Sequence, residues 1–427
     1  MDIVALYDYI INDREHTNLN RYDINRDSLV NSADIIEIYG YINRGDNLPI
    51  VCLSTPDGAP IVSKTVYMEH AAVQINAPDG RLLLADSIMV RGRGNSTWSA
   101  PKKPYIFKFE NKKTVFDMPK DKTWVLLANY YDPTLLRNDL ACWIGNEIST
   151  LDWTPSFQMV TLVLNDEPKG IYQLGEKPKI SKNRVNVGDD GFLLEIDAKA
   201  DADDVTFRTP HLPRPVNIKD PDVEPDSADY VYVRDYVLEA EAALYATDFT
   251  DSVNGWRKYM DENSFVEWYL VNEIAKNADA IFFTSCYMNL KRGGLLKMGP
   301  LWDFDIAFGG YPWPWESSYT IANNPEGFYI KDATWYKRLF LDPDFVGKVK
   351  QRFAHYYNKR QQIYEHIKHT AASIEKDVVH DNRLWGTICP LAANHSQILE
   401  RWHEQIEQLT QWLEARFTWL HDNLTGL

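Results

Sequence analysis

The stretch at residues 300–309, PLWDFDIAFG, places two carboxylates two positions apart between large aromatic residues and directly before a glycine. A core strand would not carry Asp303 and Asp305, because an unpaired buried carboxylate is costly. A solvated loop would not carry Trp302 and Phe304. A metal site in a cleft suits both kinds of residue, since packed aromatic side chains would fix the direction of the carboxylates. The alternative is a structural, hydrogen-bonded pair of aspartates.

The composition limits the classes of protein to which the chain can belong. Its 427 residues are 44% hydrophobic and 13% aromatic, which supplies a large core and predicts two or three domains. The formal net charge of −16 argues against nucleic acid as a partner. No apolar run reaches the roughly 18–20 residues of a membrane span. The four cysteines form no CxxC pair, which argues against a zinc ribbon.

The first forty-odd residues contain an internal repeat and a candidate calcium loop. Residues 2–10 and 34–42 are similar short segments, each opened by an aspartate. A calcium loop needs oxygen ligands at positions 1, 3, 5, 9 and 12. Those positions before the second copy are occupied by Asp23, Asn25, Asp27, Asn31 and Asp34. A capped helix after an Asn/Asp-rich turn is the alternative interpretation.

This segment resembles a type I dockerin repeat, and we assign residues 1–47 to a dockerin-like module of short α-helices. The resemblance implies bound Ca²⁺ and a cohesin-like partner, for example in polysaccharide-degrading machinery. The loop before the first copy is missing, so the chain is expected to be a piece of a longer protein. Calcium loops of this kind usually work where calcium is plentiful, so we expect an extracellular or periplasmic location, with the signal peptide lost together with the missing part.

A basic, glycine-bearing segment follows a β-rich stretch. Residues 91–98, RGRGNSTW, precede an alternating strand at 102–109, and seven Lys/Arg but one acidic residue lie between Arg91 and Lys113. Glycines let backbone N–H groups approach an anion, and the cations supply charge, so the pattern indicates phosphate binding. The alternative is an edge strand whose lysines guard against aggregation.

The order of the remaining segments indicates a phosphoryl transferase of the kinase type. A hairpin at 159–177 delivers Glu176 and Lys177 at a strand end, and a helix at 265–274 leads into Asp279. In kinases a loop and a lysine hold the nucleotide phosphates, one aspartate positions the acceptor hydroxyl, and a second aspartate holds Mg²⁺. We assign residues 48–225 to a β-rich N-terminal lobe and 226–427 to a mainly helical C-terminal lobe.

Six motifs carry a specific resemblance: RGRGNSTW followed by KKPYIFKF, WVLLANYYDPTLLRNDLA, GIYQLGEK, GFLLEID, NEIAKNAD and GPLWDFDIAFG. Over roughly residues 85–425 this series is similar to that of the CotH kinase family. The resemblance implies an α+β, atypical protein-kinase-like two-lobe fold. It also implies transfer of the ATP γ-phosphate to a protein hydroxyl.

The resemblance assigns roles to seven residues of the cleft: Arg93, Asn95, Lys108, Glu176, Asp279, Asp303 and Asp305. Arg93 and Asn95 would belong to the phosphate loop. Lys108 would bind phosphate, and Glu176 would orient that lysine or the metal. Asp279 would be the catalytic aspartate. Asp303, with Asp305 close by, would hold Mg²⁺ or Mn²⁺.

The sequence departs from the family pattern at one place. Many members carry an asparagine five or six residues after the catalytic aspartate as a second metal ligand, whereas this chain has Thr284 and Ser285. A hydroxyl is a poorer magnesium ligand, and ATP is scarce outside the cell. A secreted, non-catalytic scaffold attached through the dockerin therefore stays as an alternative.

A glycoside hydrolase with Asp303 and Asp305 as its acid–base pair is a third, weaker hypothesis. Residues two apart on one strand share a face, whereas such a pair usually flanks a substrate.

Overall fold

The computed structural model describes residues 48–424 and residue 426. The dockerin-like module lies outside these residues, so its calcium ligands stay a prediction: Asp23, Asn25, Asp27, Asn31 and Asp34. The described chain combines β-strands and α-helices, which confirms the α+β class. The kinase-like arrangement of two lobes stays a prediction.

The first part of the chain forms a closed barrel of seven strands in the order β1-β2-β3-β4-β5-β7-β6. The strands are β1 (Ile50–Ser54), β2 (Met68–Asn76), β3 (Leu82–Gly92), β4 (Tyr105–Val115), β5 (Met118–Leu127), β6 (Phe157–Leu164) and β7 (Glu167–Glu176). Neighbours are antiparallel except β1 and β6, which close the barrel in parallel. In β2, buried Ala71, Val73 and Ile75 alternate with exposed residues, the period expected of a strand with one face in the core.

A second sheet has the order β12-β11-β8-β10-β9. Its strands are β8 (Phe192–Ile196), β9 (Thr206–Phe207), β10 (Val216–Asp220), β11 (Cys286–Leu290) and β12 (Leu296–Met298). Strand β8 pairs with both β10 and β11, so the sheet contains strands from either side of residue 225. This sheet therefore joins the segments that the sequence analysis assigned to two lobes.

The described chain contains eight α-helices, six of them after residue 225. They are α1 (Ser96–Ser99), α2 (Arg137–Glu147), α3 (Ala228–Tyr245), α4 (Glu262–Ala275), α5 (Ser318–Asn323), α6 (Thr334–Leu339), α7 (Pro343–Trp385) and α8 (His395–Leu424). Asp342 is the N-cap of helix α7, and a proline is the first residue of the helix. Its C-cap is Gly386, whose φ is 64°. None of the helices in the described chain combines the length and the apolar character that crossing a membrane requires.

A buried ion pair fastens α7 to the barrel. The Lys102 Nζ lies 2.7 Å from Asp381 Oδ1, and both side chains are 0% exposed. The same carboxylate oxygen accepts the backbone N–H of Ile171 at 2.7 Å, and Lys102 donates to the Ile171 carbonyl at 2.7 Å. Gly170, with φ 80°, leaves room for Asp381, because a Cβ there would overlap its carboxylate. The ion pair and the Ile171 backbone groups together offset the cost of burying the two charges.

We expect Lys102→Met to lower the free energy of unfolding by about 3–5 kcal/mol, because it leaves Asp381 buried without its cation. Lys113→Met is the matched control, since Lys113 and Asp86 form a pair at 2.6 Å that is 40% and 32% exposed. That control should cost less than about 1 kcal/mol. Denaturant unfolding measures both, and equal losses would show that the buried pair does not hold α7.

Candidate active site

A polar cleft of about 560 Å³ contains most of the residues predicted to bind phosphate and metal. This volume is in the range of about 300–1,000 Å³ that is usual for ligand pockets. Five of the seven predicted residues line it: Arg93, Asn95, Asp279, Asp303 and Asp305. Two do not line it: Lys108 and Glu176.

The loop after β3 brings Arg93 and Asn95 to the cleft. Gly92 permits Trp98 to pack against the backbone, because a Cβ would overlap its ring, and Gly94 has a φ of 87°. The Arg93 guanidinium lies 5.3 Å from the Trp302 ring centre. Burial lowers the pKa of Arg93, while the Asp303 carboxylate opposes that shift. Asn95 accepts a hydrogen bond from Lys64 at 2.9 Å.

Lys177 directly follows the end of β7 and lines the cleft. Successive residues of a strand point to opposite faces. Glu176 points away from the cleft, where it accepts the Ser156 N–H at 3.1 Å and faces Arg184 at 3.7 Å, and Lys177 points into it. Burial, and then the neighbouring Arg91, lower the pKa of Lys177 to about 8.

Lys108 lies two residues beyond Ile106 on β4, and Ile106 is the β4 residue that lines the cleft. Two strand residues advance the chain by about 6–7 Å, which carries the Lys108 position along the barrel away from the lining. The role of Lys108 stays a prediction, but the structure does not bring it together with the other residues. The sequence already contained a signal for Lys177, because this lysine directly follows Glu176 in the motif GIYQLGEK.

Strand β8 adds two carboxylates to which the sequence analysis assigned no role. Glu195 on β8 and Asp197, one residue beyond its end, both line the cleft. Burial raises the pKa of Glu195 to about 7, and Lys219, 3.5 Å away, opposes the shift. Asp197 accepts a hydrogen bond from Thr284 at 2.8 Å. Alternation within the motif GFLLEID is the signal that could have identified both.

The turn after α4 positions Asp279. Helix α4 is capped by Lys276 in the left-handed region, with φ 47°. The Asn277 side chain then accepts the Asp279 N–H at 3.3 Å and donates to the Asp303 carbonyl at 3.4 Å. Burial, followed by repulsion from Asp303, raises the pKa of Asp279 to about 7, while Lys199 opposes it.

Hydrogen bonds to its backbone groups hold the loop at residues 303–308 in place. The Phe304 N–H donates to Asn138 Oδ1 at 2.7 Å, and Arg137 Nε donates to the Ala307 carbonyl at 2.9 Å. Asp132 accepts the Arg137 N–H at 2.8 Å and forms an ion pair with its guanidinium. Helix α2 thus orients the loop without contacting either carboxylate.

Asp303 and Asp305 lie in a loop and not on a strand. The strand argument used above against a glycoside hydrolase therefore does not apply to them. Both carboxylates line the same cleft.

The donor set fits a magnesium ion that is shared with phosphate. Ser285 Oγ donates to Asp303 Oδ2 at 3.1 Å, and the buried Asp305 carboxylate has no hydrogen-bond donor within the described chain. Burial and the neighbouring Asp303 raise the pKa of Asp305 well above its ordinary value. Within residues 48–424, no three His, Cys, Asp or Glu side chains form a metal site by themselves. Mg²⁺ needs only one or two carboxylates when water and phosphate supply the other ligands.

A sequence model of one protein family, described as CotH kinase protein, matches residues 90–420. The chain belongs to the CotH kinase family. This match confirms the resemblance found in the six motifs, and it includes each of the seven predicted cleft residues. No curated protein matches the chain.

In this CotH kinase family member, the pKa of Glu195 is raised from 4.5 to about 7, which predicts a pH-dependent stability. Between those values the native state holds a proton that the unfolded state has released. The stabilisation is therefore fully present below pH 4.5 and is lost as the pH rises through about 7. Burial is the largest cause of this shift, and the neighbouring groups that modify it are Lys219, Asp197, Tyr287 and Asp303.

We expect the melting temperature of the unmodified chain to fall relative to that of Glu195→Gln between about pH 4.5 and 7. Thermal melting at half-unit pH steps measures this difference. Glu110→Gln, at an exposed position of β4, is the control and should give a constant difference. A constant difference for Glu195→Gln as well would contradict the prediction.

Proposed function

We propose that this chain is an ATP-dependent kinase that transfers the γ-phosphate to a protein hydroxyl. The observation that supports it most strongly is the charge arrangement of the cleft. Arg93 and Lys177 line the cleft without an ion-pair partner among the described residues, close to Asp279, Asp303 and Asp305. Membership of the CotH kinase family supports the same reaction class.

The cationic side of the cleft would bind the nucleotide phosphates. Arg91, Arg93 and Lys219 each lower the pKa of Lys177, so these cations repel one another across the site. A polyphosphate would relieve that repulsion, and hydrogen bonds between charged groups are the strong ones. The turn at Gly94 would let backbone N–H groups contribute as well.

The carboxylate side would hold the divalent cation. Asp303 and Asp305 would bind Mg²⁺ or Mn²⁺, which when bound neutralises charge on the transferred phosphate. Their mutual repulsion in a buried site is the feature that a cation would relieve.

Asp279 would position the acceptor hydroxyl and take its proton. In this step the hydroxyl oxygen bonds to the γ-phosphorus, the bond from that phosphorus to the leaving β-phosphate oxygen breaks, and the proton passes to the Asp279 carboxylate. A pKa of about 7 suits a group that accepts a proton near neutral pH. Asn277 fixes the backbone of Asp279, so the carboxylate would be oriented before substrate binds.

The N-terminal segment is a separate proposal. The five oxygen-bearing side chains at positions 23 to 34 would bind Ca²⁺, and the dockerin-like module would attach the enzyme to a cohesin-like partner outside the cell or in the periplasm. Calcium titration of the full chain, with Asp23→Ala as the control, tests it independently of ATP.

The test of the kinase function is calorimetric titration of ATP with Mg²⁺ or Mn²⁺. We expect Asp303→Ala to abolish metal-dependent binding. Lys177→Met should weaken ATP binding by about tenfold or more, since a charged hydrogen bond contributes about 1.5–3 kcal/mol. Lys108→Met is the matched control and should bind ATP as tightly as the unmodified chain.

The outcomes separate the hypotheses. Weakening by Lys108→Met but not by Lys177→Met would support the lysine assigned from the sequence. No nucleotide binding by the unmodified chain would overturn the kinase proposal. The secreted scaffold would then be the better hypothesis, and the search would turn to glycans and cohesin-like partners.

A further inference from the structure

Two adjacent hydroxyl residues stand where the family pattern carries a metal-binding asparagine, and they have different partners. Thr284 Oγ1 donates to Asp197 Oδ1 at 2.8 Å, on the β8 side of the cleft. Ser285 Oγ donates to Asp303 Oδ2 at 3.1 Å, on the carboxylate side. The structure therefore distinguishes two positions that the sequence left equivalent.

We propose that Ser285 Oγ is a direct ligand of the divalent cation, beside Asp303. This inference rests on the proposed function, since it concerns the metal that accompanies the nucleotide. Ligands at about 2.0–2.1 Å from Mg²⁺ in an octahedron lie about 2.9–3.0 Å from their neighbours. The 3.1 Å between Ser285 Oγ and Asp303 Oδ2 matches such an edge.

A serine hydroxyl is chemically able to do this. Its oxygen carries two lone pairs in addition to the proton. In P-loop nucleotide hydrolases Mg²⁺ is held by a Ser or Thr hydroxyl together with an aspartate. The pair of Ser285 and Asp303 has the same composition, and the Asp305 carboxylate lines the same cleft.

The backbone conformation at Ser285 indicates that its side chain is required. Ser285 has φ 57° and Asp303 has φ 66°, both in the left-handed region that non-glycine residues seldom adopt. Glycine would relieve this strain but would remove the oxygen atoms. Strain of this kind is retained where function requires the residue. Asparagine tolerates the left-handed region well, so Ser285→Asn fits the same backbone and presents an amide oxygen.

The experiment is a titration of Mn²⁺, followed by electron paramagnetic resonance, in the presence of a non-hydrolysable ATP analogue. We expect Ser285→Ala to weaken Mn²⁺ binding by about tenfold and Ser285→Asn to restore it to within about threefold. Thr284→Ala removes the neighbouring hydroxyl and should leave Mn²⁺ affinity within about twofold. Thermal melting verifies that each variant is folded.

A second measurement separates a ligand from a residue that only orients Asp303. Ser285→Cys keeps the size of the side chain but offers a sulfur ligand, which favours Zn²⁺ over Mn²⁺. Competition between Zn²⁺ and Mn²⁺ should therefore shift towards Zn²⁺ by about tenfold or more in Ser285→Cys. Thr284→Cys, the matched control, should show no such shift.

The outcomes are distinct from those of the kinase proposal. If Asp303→Ala loses Mn²⁺ but Ser285→Ala and Ser285→Cys behave like the unmodified chain, the ligand assignment is overturned and the kinase proposal stands. Equal weakening by Ser285→Ala and Ser285→Asn, without a shift towards Zn²⁺ in Ser285→Cys, also overturns the assignment. If the unmodified chain binds no Mn²⁺ with the nucleotide analogue, both proposals fail together.

Discussion

The mutual repulsion of Asp279, Asp303 and Asp305 is the constraint on which the cleft depends. Burial, and then the Asp303 carboxylate, raise the pKa of Asp279 and of Asp305, so these carboxylates will not assemble unless other interactions hold them. Hydrogen bonds to neighbouring backbone groups are the interactions that hold them. Asn138 binds the Phe304 N–H, and the Phe308 N–H donates to the Ala275 carbonyl at 2.7 Å. The carboxylates themselves are left available to a cation.

A buried ion pair between helices α8 and α4 supports the part of the cleft that contains Asp279. The Arg416 guanidinium lies 2.6 Å from Glu273 Oε1, and it also donates to the Glu273 carbonyl and to the carbonyls of Pro325 and Gly327. Glu273 is in the last turn of α4, a few residues before Asp279. Helix α8 therefore anchors the helix end from which Asp279 projects. Each nitrogen of the Arg416 guanidinium donates to at least one acceptor, which offsets the cost of burying this charge.

The charged residues of the cleft come from different parts of the fold. Arg93 follows β3 and Lys177 follows β7 of the barrel, whereas Asp303 and Asp305 follow the second sheet. Strand β8, which pairs with β11, adds Glu195 and Asp197 between them. The cleft thus depends on how the barrel and the second sheet meet.

The sequence by itself indicated the α+β class through its resemblance to the CotH kinase family, and it indicated five residues that line the cleft, from Arg93 and Asn95 to Asp305. Glycine-bearing loops, helix ends and closely spaced carboxylates are short-range features that the residue types themselves specify, whereas the functional roles of these residues stay predictions. Closure of the seven-strand barrel, the entry of Lys177 rather than Lys108 into the cleft, and the separate partners of Thr284 and Ser285 were decided only by the tertiary structure. Each of them depends on which distant strands pair and which face of a strand turns inward. That choice is made by packing between segments far apart in the chain, which no local spacing records.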